Sequence, residues 1–244
     1  MLKIPLPVGG RFGEKETMIG FYDYTVILTY ASLASAICGM GLSGTGHPIL
    51  ATICLLFCGM CDMFDGKVAR TKKNRTREEK SFGIQIDSLS DIVAFGVLPA
   101  VINITMCGFR WYAYLISALF VLAGLIRLAY FNVTEEQRQQ ETDECRKTYL
   151  GLPITSSALI FPTFFCIISV FCLYYDNISL FAMLFLRRSF RIALCALTGV
   201  TGLCFLLPFR LRKPRSKELW LMLALGMLIA FILFFTWLRR QFLI

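Results

Sequence analysis

The sequence predicts an all-α integral membrane protein, a bundle of about seven membrane-spanning helices. Three observations predict it. Of the 244 residues, 57% are hydrophobic and only 17% charged, where soluble domains carry about one quarter. The apolar residues are gathered in long runs nearly free of charge, and the basic residues are gathered between those runs. A span needs roughly 20 apolar residues, fewer when its ends lie in the interface. A soluble helical protein is excluded, because a chain of this size cannot bury so many long runs in one core.

Taken in order, the spans are Phe21–Gly41, Ile49–Met60, Ile92–Met106, Trp111–Ile126, Leu152–Tyr175, Ile192–Pro208 and Leu219–Leu238. Residues 1–20 carry Lys3, Arg11 and Lys15 among prolines and glycines. They read as a short cytoplasmic arm before a retained first anchor. Between spans two and three lie Lys67, Arg70, Lys72, Lys73, Arg75, Arg77 and Lys80. Arg210, Arg212, Lys213, Arg215 and Lys217 lie between spans six and seven. Arg138, Arg146 and Lys147 follow span four. Positive loops stay in the cytoplasm, which places the N-terminus inside. The opposite loops, Leu42–Pro48 and Cys107–Arg110, are short and nearly uncharged. Arg187, Arg188, Arg191, Arg239 and Arg240 break the pattern; a dip of Ser179–Leu186 into the membrane is one reading of the first three. The stretch Glu135–Arg146, with five carboxylates and no apolar periodicity, reads as a solvated loop that can cover a cavity.

The ten cysteines show no metal or disulfide spacing. Cys58 and Cys61 form a CxxC, but inside an apolar run, and read as small apolar filler like most of the others. Asn103, Asn132 and Asn177 match the short glycosylation pattern by chance. His47, the only histidine, lies in an outer loop far from any acidic cluster. The net charge of +9 suits anionic headgroups or a nucleotide phosphate. Nucleic acid is excluded as a partner, because no soluble domain exists to hold it.

The chemistry is concentrated in Cys61–Ala100. Asp62 and Asp65, three apart, end span two; Asp87 and Asp91, four apart, begin span three. Both spacings put side chains on one helix face, so two helices joined by a short loop can aim four carboxylates at one point. A carboxylate at membrane depth costs about 2.5 kcal/mol or more even on lenient scales. Protonation or bound cations relieve the crowding, and hard oxygens suit Mg²⁺, Mn²⁺ or Ca²⁺. Four carboxylates are enough for two ions that clamp phosphate oxygens at an in-line displacement. Gly66 and Gly83 permit close approach of a ligand to the backbone, and Arg70 can meet a phosphate bidentately.

These residues carry a resemblance. Asp62-x-x-Asp65-Gly66-x-x-Ala69-Arg70, followed by Gly83-x-x-x-Asp87-x-x-x-Asp91, resembles the signature of the CDP-alcohol phosphotransferase family at every fixed position, with twelve residues between Arg70 and Gly83. The resemblance covers roughly Phe21–Lys213. It implies a six-helix core over residues 21–213 around a polar cavity open to the cytoplasm. Residues 214–244 then form an extra C-terminal transmembrane helix. It implies a homodimer in the cytoplasmic (inner) membrane and two ions of Mg²⁺ or Mn²⁺ held by Asp62, Asp65, Asp87 and Asp91. Asp91 is implied as the general base, and Gly66, Ala69, Arg70 and Gly83 as contacts to the CDP moiety. The implied reaction transfers a phosphatidyl group from CDP-diacylglycerol to a second hydroxyl, releasing CMP.

Phe82–Asp91, Phe95–Ala100, Gly124–Asn132 and Gly151–Pro153 are similar to the family's membrane-embedded, serine-accepting branch. That similarity implies L-serine as the acceptor, with Ser88 and Arg127 as candidate acceptor contacts. Arg127 is the one basic residue well inside the first four spans; it either snorkels or faces the cavity. Ser32 departs from the asparagine the family commonly carries in span one, and Ala94 from the serine frequent in that branch. Glycerol 3-phosphate or inositol phosphate is the alternative acceptor class, and each would call for further cations. A cation transporter would repeat its carboxylates at mid-membrane, and no second Asp pair follows. A scaffold without a site explains none of the motif.

Overall fold

The computed structural model describes residues 24–69, 71–72, 76–141, 148–174, 180–212 and 216–242. Apolar runs in lipid have no water to satisfy backbone N–H and C=O groups, so they close their hydrogen bonds within helices. After a single 3₁₀ turn, Tyr24–Val26, come α1 (Ile27–Gly44), α2 (Pro48–Ala69) and α3 (Arg77–Asp91). A π-helical turn, Ile92–Val97, joins α3 to α4 (Leu98–Met106), and α5 (Trp111–Glu141) follows. After β1 (Thr148–Leu150) come α6 (Ser157–Tyr174), α7 (Leu180–Leu206), β2 (Arg210–Arg212) and α8 (Ser216–Phe242). Among the described residues, seven helical spans are long and apolar enough to cross a membrane, the third running unbroken over Glu78–Met106. The protein is an all-α, multi-pass membrane protein, as its apolar runs predict, with one short strand pair added.

Local chemistry sets the ends of the elements. Pro48 opens α2, where its missing N–H costs nothing. Thr76 caps α3: its hydroxyl accepts from the Glu79 N–H at 3.1 Å, and the Glu79 carboxylate accepts from the Thr76 N–H at 3.2 Å. This reciprocal box starts α3 well before the apolar run, so Asp87 and Asp91 stand inside a helix rather than at its first turn.

Two expectations are corrected. Glu135–Glu141 belongs to α5 and is not a loop. Its Glu, Gln and Arg residues are good helix formers, and Arg138 pairs with Glu135 three residues earlier at 2.6 Å. Residues 142–146 lie outside the described residues. The sixth span begins earlier than its apolar run predicts: Leu180–Leu186 forms the first turns of α7, well before Ile192. That helix has 27 residues and is about 40 Å long at 1.5 Å per residue, more than a hydrocarbon core of about 30 Å requires.

The core is packed by aromatic rings and small residues. Phe120 of α5 meets Phe161 of α6 edge-on at 5.8 Å and Phe205 of α7 at 5.4 Å between ring centroids. An added Cβ at Gly59 of α2 would stand 2.6 Å from the Cβ of Ala158 on α6, so these helices touch almost backbone to backbone. β1 pairs antiparallel with β2, Tyr149 opposite Leu211. Gly151, directly after β1, has φ +73°, and a Cβ there would lie 2.9 Å from the Leu207 carbonyl oxygen. Only glycine fits both demands, and its N–H donates to the Phe209 carbonyl. The chain entering α6 is thereby tied to the chain entering α8.

Candidate metal and substrate site

α2 and α3 bring the acidic residues together. Carboxylate oxygens of Asp62, Asp87 and Asp91 lie within 4.8 Å of one another, and the carboxyl of Asp65 meets that of Asp87. Asp87 and Asp91 share a face because they are one turn apart. The π turn begins at the next residue; the Leu98 N–H reaches back to Val93. Such a turn widens the helix locally and is frequent at functional sites. The Ser90 hydroxyl, one residue before Asp91, donates to the Thr29 carbonyl at 3.2 Å, tying α3 to α1.

Three converging carboxylates with a fourth alongside form a hard-oxygen donor set of the kind that holds Mg²⁺ or Mn²⁺. No amine is among these donors, and the repulsion between the carboxylates is the term a divalent cation would relieve. The residues present therefore fit a divalent metal.

A cavity of about 1040 Å³ opens beside the aspartates. Its lining combines polar residues, Asp62, Asp87, Asp91, Arg127, Ser156 and Arg212, with an apolar wall from Leu56 and Phe57 of α2, Leu159 of α6, and Met222, Leu223 and Phe231 of α8. α8 is held there by Gly226, where an added Cβ would lie 3.8 Å from Leu56 and 4.0 Å from Leu159. The Lys67 ammonium, 5.4 Å from the ring centroid of Trp220, adds a cation–π contact to the same joint.

Arg127 does not snorkel. It is only 7% exposed, lines the cavity, and donates from Nε to the Leu152 carbonyl at 3.2 Å. Ser88 lies on the contact between α3 and α5, where its hydroxyl accepts from Asn132 Nδ2 at 2.8 Å. Gly66 and Ala69 end α2, and Gly83 precedes Asp87 by one turn on α3. An added Cβ at Gly66 would meet nothing within 4 Å among the described residues, so none of their packing requires glycine there. Arg70 lies outside the described residues. His47 lies at the far end of the bundle, its Nδ1 3.4 Å from the Thr45 hydroxyl.

Sequence reasoning missed Arg212 as a site residue, counting it only as a topology charge. The two short strands that deliver it carry no periodic signal and are separated by two helices. It also missed that α8 would wall the cavity.

The model of the CDP-alcohol phosphatidyltransferase family matches residues 24–242. The CDP-diacylglycerol–serine O-phosphatidyltransferase of Saccharomyces cerevisiae is 37% identical over 151 residues, 61% of this chain and 50% of that protein. The protein of the same name from Helicobacter pylori strain J99 is 36% identical over 118 residues, 48% of this chain and 42% of its own. The archaetidylserine synthase of Methanothermobacter thermautotrophicus is 33% identical over 140 residues, 57% of this chain and 56% of its own. The matched segments thus span about half the length of these curated relatives.

Proposed function

Because this chain belongs to the CDP-alcohol phosphatidyltransferase family, we propose that it transfers the phosphatidyl group of CDP-diacylglycerol to the hydroxyl of L-serine, giving phosphatidylserine and CMP. The observation that carries the reading is a single cavity lined by three carboxylates, a buried arginine and the apolar side chains of α2, α6 and α8. A nucleotide lipid combines an anionic headgroup with apolar chains. Three relatives named for serine or archaetidylserine synthesis support the acceptor.

In this mechanism Asp62, Asp65 and Asp87 would hold divalent metal, and Asp91 would serve a second ion. When bound, Mg²⁺ or Mn²⁺ neutralises pyrophosphate charge and improves CMP as a leaving group. Asp91 takes the proton of the serine hydroxyl. The serine oxygen bonds to the phosphorus that bears the diacylglycerol, and the bond from that phosphorus to the CMP oxygen breaks. Gly66, Ala69, Arg70 and Gly83 cradle the CDP moiety. Arg127, oriented by the Leu152 carbonyl, binds the serine carboxylate, and Ser88 steadies α3 beside it. The acyl chains lie along α2, α6 and α8, so α8, within the C-terminal segment 214–244, completes the catalytic core of residues 21–213. The aspartates face the cytoplasm from the inner membrane, and the protein works as a homodimer.

A second reading has one specific observation in its favour. Arg212 joins Arg127 on the cavity, and two cations suit a phosphorylated acceptor such as glycerol 3-phosphate or inositol phosphate. One assay separates these readings: purified protein with CDP-diacylglycerol, Mg²⁺ or Mn²⁺ and a panel of acceptors, read as CMP release. Release with serine is expected. Release only with a phosphorylated alcohol overturns the acceptor, and no release with any acceptor overturns the reaction.

A further inference from the structure

A second polar cluster is buried at the end of the bundle away from the aspartates. Cys107 follows the last turn of α4, and Cys195 belongs to α7, 88 residues later. Their Sγ atoms are 3.3 Å apart. Asn103 Oδ1 accepts from both thiols, at 3.6 Å from Cys107 and 3.5 Å from Cys195. Asn103 Nδ2 donates to the Ser117 hydroxyl at 3.0 Å, and that hydroxyl donates to the Ala100 carbonyl at 3.2 Å. Asn103 and Cys107 are wholly buried, and Cys195 is 6% exposed. By contrast, Cys58 of the sequence-visible CxxC turns its thiol to the Ser32 carbonyl at 3.2 Å.

We propose that Cys107 and Cys195 are a disulfide-forming pair that staples the turn between α4 and α5 to α7. Packing has already brought the sulfurs together, so closing to a bond of about 2.05 Å needs side-chain rotation on the order of 1 Å at each sulfur. The two thiols lose two protons and two electrons, one S–S bond forms, and a disulfide or diamide oxidant takes up both hydrogens. The rearrangement gives up two S–H donors, which are weak, and leaves the Asn103–Ser117 bond in place. The bond closes a long loop in the unfolded chain, where a cross-link removes most conformational freedom. It also joins the span that carries Asp87 and Asp91 to α7. If the aspartates face the cytoplasm as proposed above, this end faces the opposite compartment, where disulfides can persist.

The test uses the full-length protein in detergent micelles, treated with diamide, quenched in acid, denatured, alkylated and digested. The expected result is one linked peptide containing Cys107 and Cys195, with a melting temperature raised by several degrees. Cys107→Ser and, independently, Cys195→Ser should remove both the linked peptide and the thermal shift. CMP release is not the readout, so failure of the proposed reaction would leave this test intact. Recovery of both cysteines in alkylated form after diamide overturns the pairing, as does linkage of either to another cysteine. A linked peptide without a thermal shift overturns the staple.

Discussion

Arg127 of α5 donates from Nε to the carbonyl of Leu152, 3.2 Å away on the chain entering α6. That carbonyl follows Gly151, whose left-handed backbone lies against the Phe205 and Leu207 carbonyls at the end of α7. One guanidinium is therefore aimed by three separate segments of chain. Lysine at 127 keeps the charge but loses the planar fork, so Arg127→Lys should raise the acceptor KM by about tenfold or more. The KM for CDP-diacylglycerol should change little. Gly151→Ala should act on the same parameter from a distance while lowering stability by about 1–2 kcal/mol. Steady-state CMP release with each substrate varied in turn checks both variants.

Asp91→Asn should lower turnover by about a hundredfold or more, the scale of a lost general base. Binding of the CDP-lipid should persist, because Asp62, Asp65 and Asp87 are untouched. Single-turnover CMP release together with equilibrium binding of a CDP-lipid separates the two effects. Normal turnover would remove Asp91 from the role of base.

The donor set formed by Asp62, Asp87 and Asp91 predicts dependence on a divalent ion. Treatment with EDTA should abolish CMP release, and either Mg²⁺ or Mn²⁺ should restore it. Asp62→Ala should shift the restoring concentration upward, measured as CMP release against metal concentration. Full activity after exhaustive chelation would show that the carboxylates serve another purpose.

Gly59 and Ala158 hold α2 against α6 with no room for another methyl group, since the added Cβ would lie 2.6 Å from its neighbour. Gly59→Ala must therefore push the helices apart. The expected cost is about 1–3 kcal/mol, as for other overpacked positions, seen as a lower melting temperature in detergent. Gly66→Ala provides the contrast. None of the described residues packed against α2 stands within 4 Å of that Cβ, so stability should not fall, and helix propensity favours the alanine, while CDP-lipid affinity falls.

The spans and the acidic motif were legible in the sequence for a local reason. Insertion into lipid depends on the apolar content of one continuous run, and the spacings of Asp62 with Asp65 and of Asp87 with Asp91 depend only on helical periodicity. Residues that obey no local rule stayed hidden. Glu135–Glu141 lacks an apolar stripe, yet it continues α5 because its charges pair along the helix. The spacing of Ser88 from the aspartates was legible, but its partner was not: only the approach of α5 brings Asn132 to its hydroxyl.

From the sequence alone came a bundle of about seven spans, an acidic cluster at one end of it, and the phosphate chemistry to which such a cluster is suited. Tertiary structure decided the rest. It seated Arg127 on Leu152, carried Arg212 to the cavity on a strand pair, made α8 a wall of that cavity, and set Cys107 against Cys195 across 88 residues. These relationships join residues whose separation follows no period. They come from how far each helix is rotated and how closely it approaches its neighbours, which glycines such as Gly59, Gly151 and Gly226 determine only once the opposing surface is in place.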